Sequence, residues 1–148
     1  MFKTQSREHN YNTKDSQVPI SSIAVEEHHA IEAMERLVTA RVALAFGLPP
    51  DTIQSATRGV ARVALARQVS MYLLHVALGF TLAKAGGVFG RDRTTAAHAC
   101  RVVEDLRDNV NFDRQICELE RFIQRAVAGQ CALRDVLYAE PENLRALG

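Results

Sequence analysis

A cluster of cationic and hydroxyl side chains lies between residues 91 and 101 of this chain. It consists of Arg91, Arg93, Thr94, Thr95, His98 and Arg101. Side chains of these types hydrogen-bond to phosphate oxygens and to the donor and acceptor edges of bases. Asp92, the one acid among them, is a residue that commonly starts a helix. The cluster therefore predicts a helix whose first turns present a nucleic-acid contact surface.

The charge of the chain is concentrated around this cluster. The formal net charge is only +1, but residues 58–101 hold seven basic residues and one acid, Asp92. The remaining 11 basic and 16 acidic residues give the rest of the chain a net negative charge. A basic middle between acidic ends favours a nucleic-acid surface, and a merely solvated basic face is the alternative. Further basic or polar candidates in this segment are Arg58, Arg62, Arg67, Gln68 and Lys84.

Apolar residues recur at helical spacing along most of the chain. The predicted helices cover about residues 23–46, 51–56, 61–78, 82–89, 92–107 and 113–127, with a short one at 132–138. Their predicted caps are Ser21 or Ser22, Asp51 and Thr81, and Asp92 is predicted as an N-cap or first-turn residue. Gly47 and Gly129 are the predicted ends of the first and sixth helices. The prediction is an all-α, helix-turn-helix bundle in residues 23–138, between a flexible tail at 1–22 and a second tail at 139–148.

Two neighbouring predicted helices have the layout of a helix-turn-helix. The helix at 61–78 is apolar nearly all round, which predicts that its neighbours bury it. The segment that follows holds Gly86 and Gly87, which cost helix propensity but allow two backbones to approach closely. The next helix should bury Ala96, Ala99 or Cys100, Val103 and Leu106. Its residues on or near the exposed face should be Arg93, Thr94, Ala97, His98 and Arg101.

The motif residues carry a family resemblance. They are Gly86-x-x-Phe89-Gly90, Arg91-Asp92-Arg93-Thr94-Thr95 and His98-Ala99-Cys100-Arg101. They resemble the signature I-G-x-x-F-G-x-R-D-H-T-T-V-x-H-A-x-R of the DNA-binding domain of the bacterial replication initiator DnaA. The preceding residues 66–73 resemble the family's A-R-x-x-A-M-Y-L helix, and the resemblance covers roughly residues 42–127.

The resemblance implies that the protein binds double-stranded DNA through the following residues. They are Arg58, Arg62, Arg67, Gln68, Lys84, Arg91, Asp92, Arg93, Thr94, Thr95, His98 and Arg101, of which Arg58 or Arg62 would reach a minor groove and Arg67 and Gln68 would meet phosphates. The implied role is transcriptional regulation or control of replication initiation, in the cytoplasm on the nucleoid. Two departures affect specificity, because the turn before Arg91 is one residue shorter and Arg93 stands where the family has a histidine.

Several other activities find no support in the sequence. The chain has no G-x-x-x-x-G-K-[ST] loop and no alternation of strands and helices, so we expect neither nucleotide binding nor the ATPase module that precedes this domain in DnaA. We expect no enzymatic activity, cofactor or metal, since no catalytic arrangement can be argued and Cys100, Cys117 and Cys131 form no C-x-x-C pair. No apolar run is long enough to cross a membrane.

A protein-interaction module is the alternative to a DNA-binding function. In that case the fold would be kept, DNA binding would be weak, and the long first helix would bind a partner or a second copy. The length of this helix predicts a monomer or weak homodimer with its contact in residues 25–37. The dependence of DNA affinity on salt distinguishes the two hypotheses.

Overall fold

A computed structural model describes residues 20–55 and 60–138, with side chains at 24–55 and 60–130. Every element in these residues is a helix: α1 (Ile20–Phe46), α2 (Pro50–Gln54), α3 (Ala61–Val76), α4 (Leu82–Gly87), α5 (Arg93–Leu106) and α6 (Val110–Tyr138). The all-α, helix-turn-helix prediction is therefore confirmed. The predictions for Arg58, for residues 1–19 and for the tail at 139–148 lie outside the described residues.

The core is organised around α3. Its fully buried residues include Ala66, Val69, Leu73 and Leu74, and it packs against α1, α2, α4 and α5. This burial is what the apolar sequence of α3 predicts. Because α3 supports α5 along most of its length, the core fixes the helix that carries the predicted contact residues.

Two predicted helix caps are wrong. Helix α1 begins at Ile20, so Ser21 and Ser22 lie inside it rather than capping it. Helix α2 begins at Pro50 after Pro49, and Asp51 occupies its first turn without capping it. Proline is favoured at the first helical position because its φ is preset and its missing N–H has no helical partner there.

The last helix is longer than the sequence predicts. Helix α6 runs without a break from Val110 to Tyr138, through the predicted stop at Gly129, so the two helices predicted there are one. Gly129 is not among the glycines with positive φ, and a glycine inside a helix costs only about 1 kcal/mol relative to alanine. Helix α6 begins next to Asn109, whose Oδ1 accepts hydrogen bonds from the backbone N–H of Asn111 and Phe112.

Arg107 fixes the end of α5 against α3 and α6. Its guanidinium donates to Asp113 Oδ1 at 2.6 Å, to the hydroxyl of Tyr72 at 2.6 Å and to Glu120 Oε1 at 2.8 Å. Burial lowers the pKa of Arg107, but the hydrogen bonds with Asp113 and Tyr72 outweigh it and raise this pKa above its ordinary value. The network leaves Leu106 at the edge of the core and 38% exposed, so its predicted burial is wrong.

None of the helices in the described part of the chain combines the length and apolarity that a membrane span requires.

Candidate nucleic-acid interface

The turn between α4 and α5 depends on close backbone packing at Gly86. A Cβ atom at Gly86 would lie 2.8 Å from the carbonyl oxygens of both Arg91 and Asp92. The Arg91 N–H donates to the Gly86 carbonyl at 2.9 Å, and Gly90 supplies a φ of +63° between them. The close approach predicted for the glycine pair is thus confirmed at Gly86. At Gly87, by contrast, an added Cβ would meet nothing within 4 Å.

Asp92 caps α5, as predicted. Its Oδ1 accepts a hydrogen bond of 2.7 Å from the backbone N–H of Thr95, and its backbone is extended at φ −80° and ψ 170°. This hydrogen bond holds the pKa of the Asp92 carboxyl below its ordinary value. The cap makes Arg93 the first residue of α5, so the short turn leads directly into the helix that carries the candidate residues.

Lys84 lies near the start of α4, next to the turn from α3. The hydroxyl of Thr81 accepts the Lys84 backbone N–H at 3.2 Å, which confirms the predicted cap. The Lys84 ammonium lies 4.3 Å from the ring centroid of Phe80, and the Phe80 carbonyl lies 2.7 Å from Nδ1 of His75. Lys84 is therefore an exposed cation whose backbone and side chain both contact the turn from α3. His75 has a hydrogen-bond partner within the same turn.

Helix α5 has one buried and one exposed face. Ala96, Ala99, Cys100 and Val103 are buried. The exposed residues are Arg93, Thr94, Thr95, His98 and Arg101, with Ala97 half-buried among them. Apart from Leu106, this is the division that the sequence predicts. No hydrogen bond or ion pair joins the side chains of Arg93 or Arg101 to any other described residue.

Charge changes sign along α5. The cations Arg91, Arg93 and Arg101 precede three exposed acids, Glu104, Asp105 and Asp108. The dipole of α5 adds positive potential at its beginning and negative potential at its end. A polyanion is therefore attracted to the first turns of α5 and repelled from its last turn.

Arg67 does not share the exposed face with the other candidates. Its side chain is only 7% exposed, and it donates from Nε to the Ile53 carbonyl at 2.9 Å and from an Nη to the Ser55 carbonyl at 2.7 Å. Burial, and secondarily the nearby charge of Arg91, lowers the pKa of Arg67. Arg67 thus connects α3 to the end of α2, a role that sequence reasoning missed because its partners are backbone carbonyls.

The remaining candidates lie around the two helices. Arg62 is exposed at the start of α3, Gln68 is half-buried one turn and a half further along, and Arg91 is half-buried in the turn before α5. Arg93 and Arg101 are exposed on α5, and Arg91 lies in the turn before it. Arg62 and Lys84 are exposed on the neighbouring helices α3 and α4.

Comparisons with known proteins agree with this arrangement. Residues 36–103 match the family model described as the bacterial DnaA protein helix-turn-helix. The chain is 28% identical over 110 residues to the chromosomal replication initiator protein DnaA of Deinococcus deserti. This match covers 74% of this chain and 23% of that protein. It is 40% identical over 68 residues to the same initiator of Tropheryma whipplei, covering 45% of this chain and 14% of that protein.

A solved structure is also similar. It is the crystal structure of a DNA replication initiation factor, and it matches with a TM-score of 0.58 and 27% identity over 73% of this chain and 36% of that chain. The matched part of this chain spans less than a quarter of the length of each of the two DnaA initiators named above. Together these matches confirm the resemblance that the residues of α4 and α5 carry.

Proposed function

We propose, from the DnaA-type helix-turn-helix domain that this chain carries in residues 36–103, that the protein binds double-stranded DNA with a sequence preference. Helix α5 enters the major groove with its first turns leading. The observation that carries this proposal is the charge change along α5, from unpartnered arginines at its start to exposed acids at its end. Only the first turns can approach a phosphate backbone without electrostatic repulsion.

The flanking residues supply contacts that position the domain on DNA. Arg91 lies in the turn, beside the positive end of α5, where a phosphate is favoured. Lys84 and Arg62 are exposed on the two preceding helices, and the Thr94 and Thr95 hydroxyls are exposed in the first turn of α5. These groups would hold the backbone while other α5 side chains reach the bases.

The biological role that follows is regulatory. A domain of this type that occupies DNA sites can prevent a replication initiator or RNA polymerase from using them. The protein would then act on the nucleoid, in the cytoplasm, in control of replication initiation or of transcription. We propose no nucleotide binding or catalysis, and nucleotide turnover by the purified protein that a substitution in its sequence abolishes would contradict this.

The salt dependence of DNA binding tests the proposal. With about four to six phosphate contacts, the logarithm of the association constant should fall against the logarithm of salt concentration with a slope of about −4 to −5. Arg91→Ala should make the slope shallower by about one contact. Arg114→Ala removes an exposed charge from α6, outside α4, α5 and the turn between them, and serves as the matched control. A flat salt response of the unmodified protein would reject DNA binding.

A second function is favoured by the length of α1. This helix has 27 residues, or about 40 Å at 1.5 Å per residue, and Val25 is 53% exposed near its beginning. We propose weak self-association through residues 25–37, which would place two domains on neighbouring DNA sites. Light scattering should show a monomer or a weak dimer. A stable dimer that survives deletion of residues 1–34 would contradict contact through this segment.

A further inference from the structure

We propose that two copies of this protein pair through α1, with an exposed apolar stripe on each helix packing antiparallel against the same stripe of the second copy. This inference rests on the proposed weak self-association. It extends the contact from residues 25–37 to residue 44 and gives the face and the orientation of the pair. Three features of α1 support it: the spacing of the stripe, its exposure, and the opposite charges at its two ends.

The stripe is a second apolar face of α1. The face that packs in the core contains Ile31, Met34, Val38 and Val42. About a third of a turn round the helix, another set of apolar residues recurs at alternating intervals of three and four: Ala30, Ala33, Leu37, Ala40 and Leu44. These intervals form the seam along which two helices pack on each other. A helix that covers only its own core needs the first face alone.

The stripe is accessible in the described structure. Ala33, Ala40 and Leu44 are exposed, whereas Ala30 and Leu37 are half-buried. Leu44 is 75% exposed, so its side chain contributes little to the core of its own domain. The alanines allow two helix backbones to approach closely, and the two leucines supply apolar area that a second helix would remove from water.

The charges beside the stripe differ between its two ends. Glu26 and Glu27 are exposed just before its first alanine. Arg36 and Arg41 flank its second half, and Arg41 lies against α6 with its Cζ atom 5.1 Å from the centre of the Phe122 ring. No described carboxylate forms an ion pair with Arg41. A parallel pair would place like charges together at both ends, whereas an antiparallel pair brings the acids of one copy to Arg41 of the other.

The antiparallel orientation also sets the register of the pair. The seam packs best when each leucine meets a small residue, which places Leu37 of one copy against Ala33 of the other, and Ala30 against Ala40. The twofold axis then passes near the middle of the stripe, where the two Arg36 side chains approach each other. This like-charge contact keeps the association weak. Because both copies use the same surface, assembly ends at a dimer.

Substitutions along the stripe test the face. Leu44→Glu removes an exposed apolar side chain and brings a carboxylate next to Glu26 and Glu27 of the second copy. Each dimer contains the substitution twice, so the dissociation constant measured by sedimentation equilibrium should rise at least about 10-fold. Arg36→Gln should lower this constant, since it removes the like-charge contact. Val110→Glu changes a side chain on α6 that is 72% exposed and should leave the constant unchanged.

Cysteine cross-linking tests the orientation. The Ala30→Cys and Ala40→Cys proteins, oxidised together, should form a mixed disulfide above the background of the unmodified protein, which has three cysteines of its own. Oxidised separately, each variant should stay at that background. In the antiparallel register the two copies of position 40 lie about ten residues, or about 15 Å, apart along the helix axis, which is too far for a disulfide.

The outcomes separate this inference from the proposed self-association. If Leu44→Glu leaves the dissociation constant unchanged, or if either cysteine variant cross-links efficiently by itself, self-association stands while the face or the orientation is wrong. If the unmodified protein stays monomeric up to its highest soluble concentration, self-association itself is wrong and the inference falls with it. Thermal unfolding of each variant checks the fold, which the exposed Leu44 side chain should hardly affect.

Discussion

The two ends of α5 place arginines in opposite circumstances. At its start, Arg93 is exposed and makes no hydrogen bond or ion pair with another described side chain. Just after its end, the Arg107 guanidinium donates hydrogen bonds to Tyr72, Asp113 and Glu120. Its Cζ atom lies 5.9 Å from the centre of the Tyr72 ring. The arginine at the start of α5 is thus available for a ligand, whereas the arginine after its end is hydrogen-bonded within the fold.

The difference arises from what surrounds each end. Two helices, α3 and α6, meet the end of α5 and supply a hydroxyl and two carboxylates there. At the start of α5, Gly86 of α4 packs against the backbone of the turn, and no described carboxylate pairs with Arg93. An arginine whose donors are mostly satisfied within the fold has few left for DNA, so basic residues in such a domain must be sorted by their partners before they are counted as contacts.

The largest effect is expected from Arg107→Ala. The substitution leaves the buried Tyr72 hydroxyl and two carboxylates without their shared donor, and unpaired buried polar groups are costly. Because Arg107 and Asp113 are partly exposed, we expect a loss of about 3 kcal/mol in the free energy of unfolding, measured by urea denaturation. Arg114→Ala, on the exposed face of α6, should cost almost nothing. Equal stability of the two variants would remove the distinction between the ends of α5.

The next effect concerns the start of α5. In Gly86→Ala the new Cβ would lie 2.8 Å from two backbone carbonyl oxygens, so α4 and α5 must move apart. We expect a loss of roughly 2 kcal/mol in the free energy of unfolding, together with weaker DNA binding, since α5 changes its angle. Gly87→Ala is the matched control, because it meets nothing within 4 Å and should stabilise α4 by up to about 1 kcal/mol. If both alanine variants are stabilised, the close approach at Gly86 does not set the turn.

A smaller loss is expected at Arg67, which belongs with Arg107 rather than Arg93. Arg67→Met keeps the apolar stem but removes the donors to the Ile53 and Ser55 carbonyls, which should cost roughly 1–2 kcal/mol in unfolding free energy. Since Arg67 is buried, the slope of DNA affinity against salt should stay unchanged at temperatures where the variant is folded. A slope that becomes shallower by a full contact, at unchanged stability, would instead assign Arg67 to the DNA surface.

The sequence predicted the parts of this structure that depend on local patterns. The apolar helix α3, the caps at Thr81 and Asp92 and the exposed face of α5 follow from spacing and from residues within one turn of each other. Asp51 shows the limit even of local rules, because it was predicted as the cap of α2 while Pro50 already forms the first helical residue.

The roles of the arginines and the length of α6 depend on distant parts of the chain. Arg107 meets Tyr72, which is 35 positions away, and Arg67 meets carbonyls 12 and 14 positions away. No local pattern distinguishes these arginines from Arg93. Similarly, Gly129 is predicted to end a helix because glycine is common just after helix ends, but its backbone in α6 is helical.

The smallest effect is expected at Asp92, whose cap sets the start of α5 without being buried. The hydrogen bond from the Thr95 N–H favours the charged carboxylate, so the pKa of Asp92 in the folded protein lies below its ordinary value of 3.8. The stability that this cap contributes is therefore fully present above that ordinary value and is lost as pH falls through the lowered one. Thermal unfolding from about pH 6 to about pH 2 should show this loss in the unmodified protein.

Two substitutions at Asp92 isolate the charge from the hydrogen bond. Asp92→Asn keeps an oxygen that accepts the Thr95 N–H and should retain most of the melting temperature while it removes this contribution to the acid-side decrease. Asp92→Ala loses the acceptor and should lower the melting temperature slightly at neutral pH. Asp108→Asn removes an exposed acid at the other end of α5 and controls for the general effect of charge. If the Asp108→Asn protein loses as much of its acid-side decrease as the Asp92→Asn protein, the effect belongs to net charge rather than to the cap.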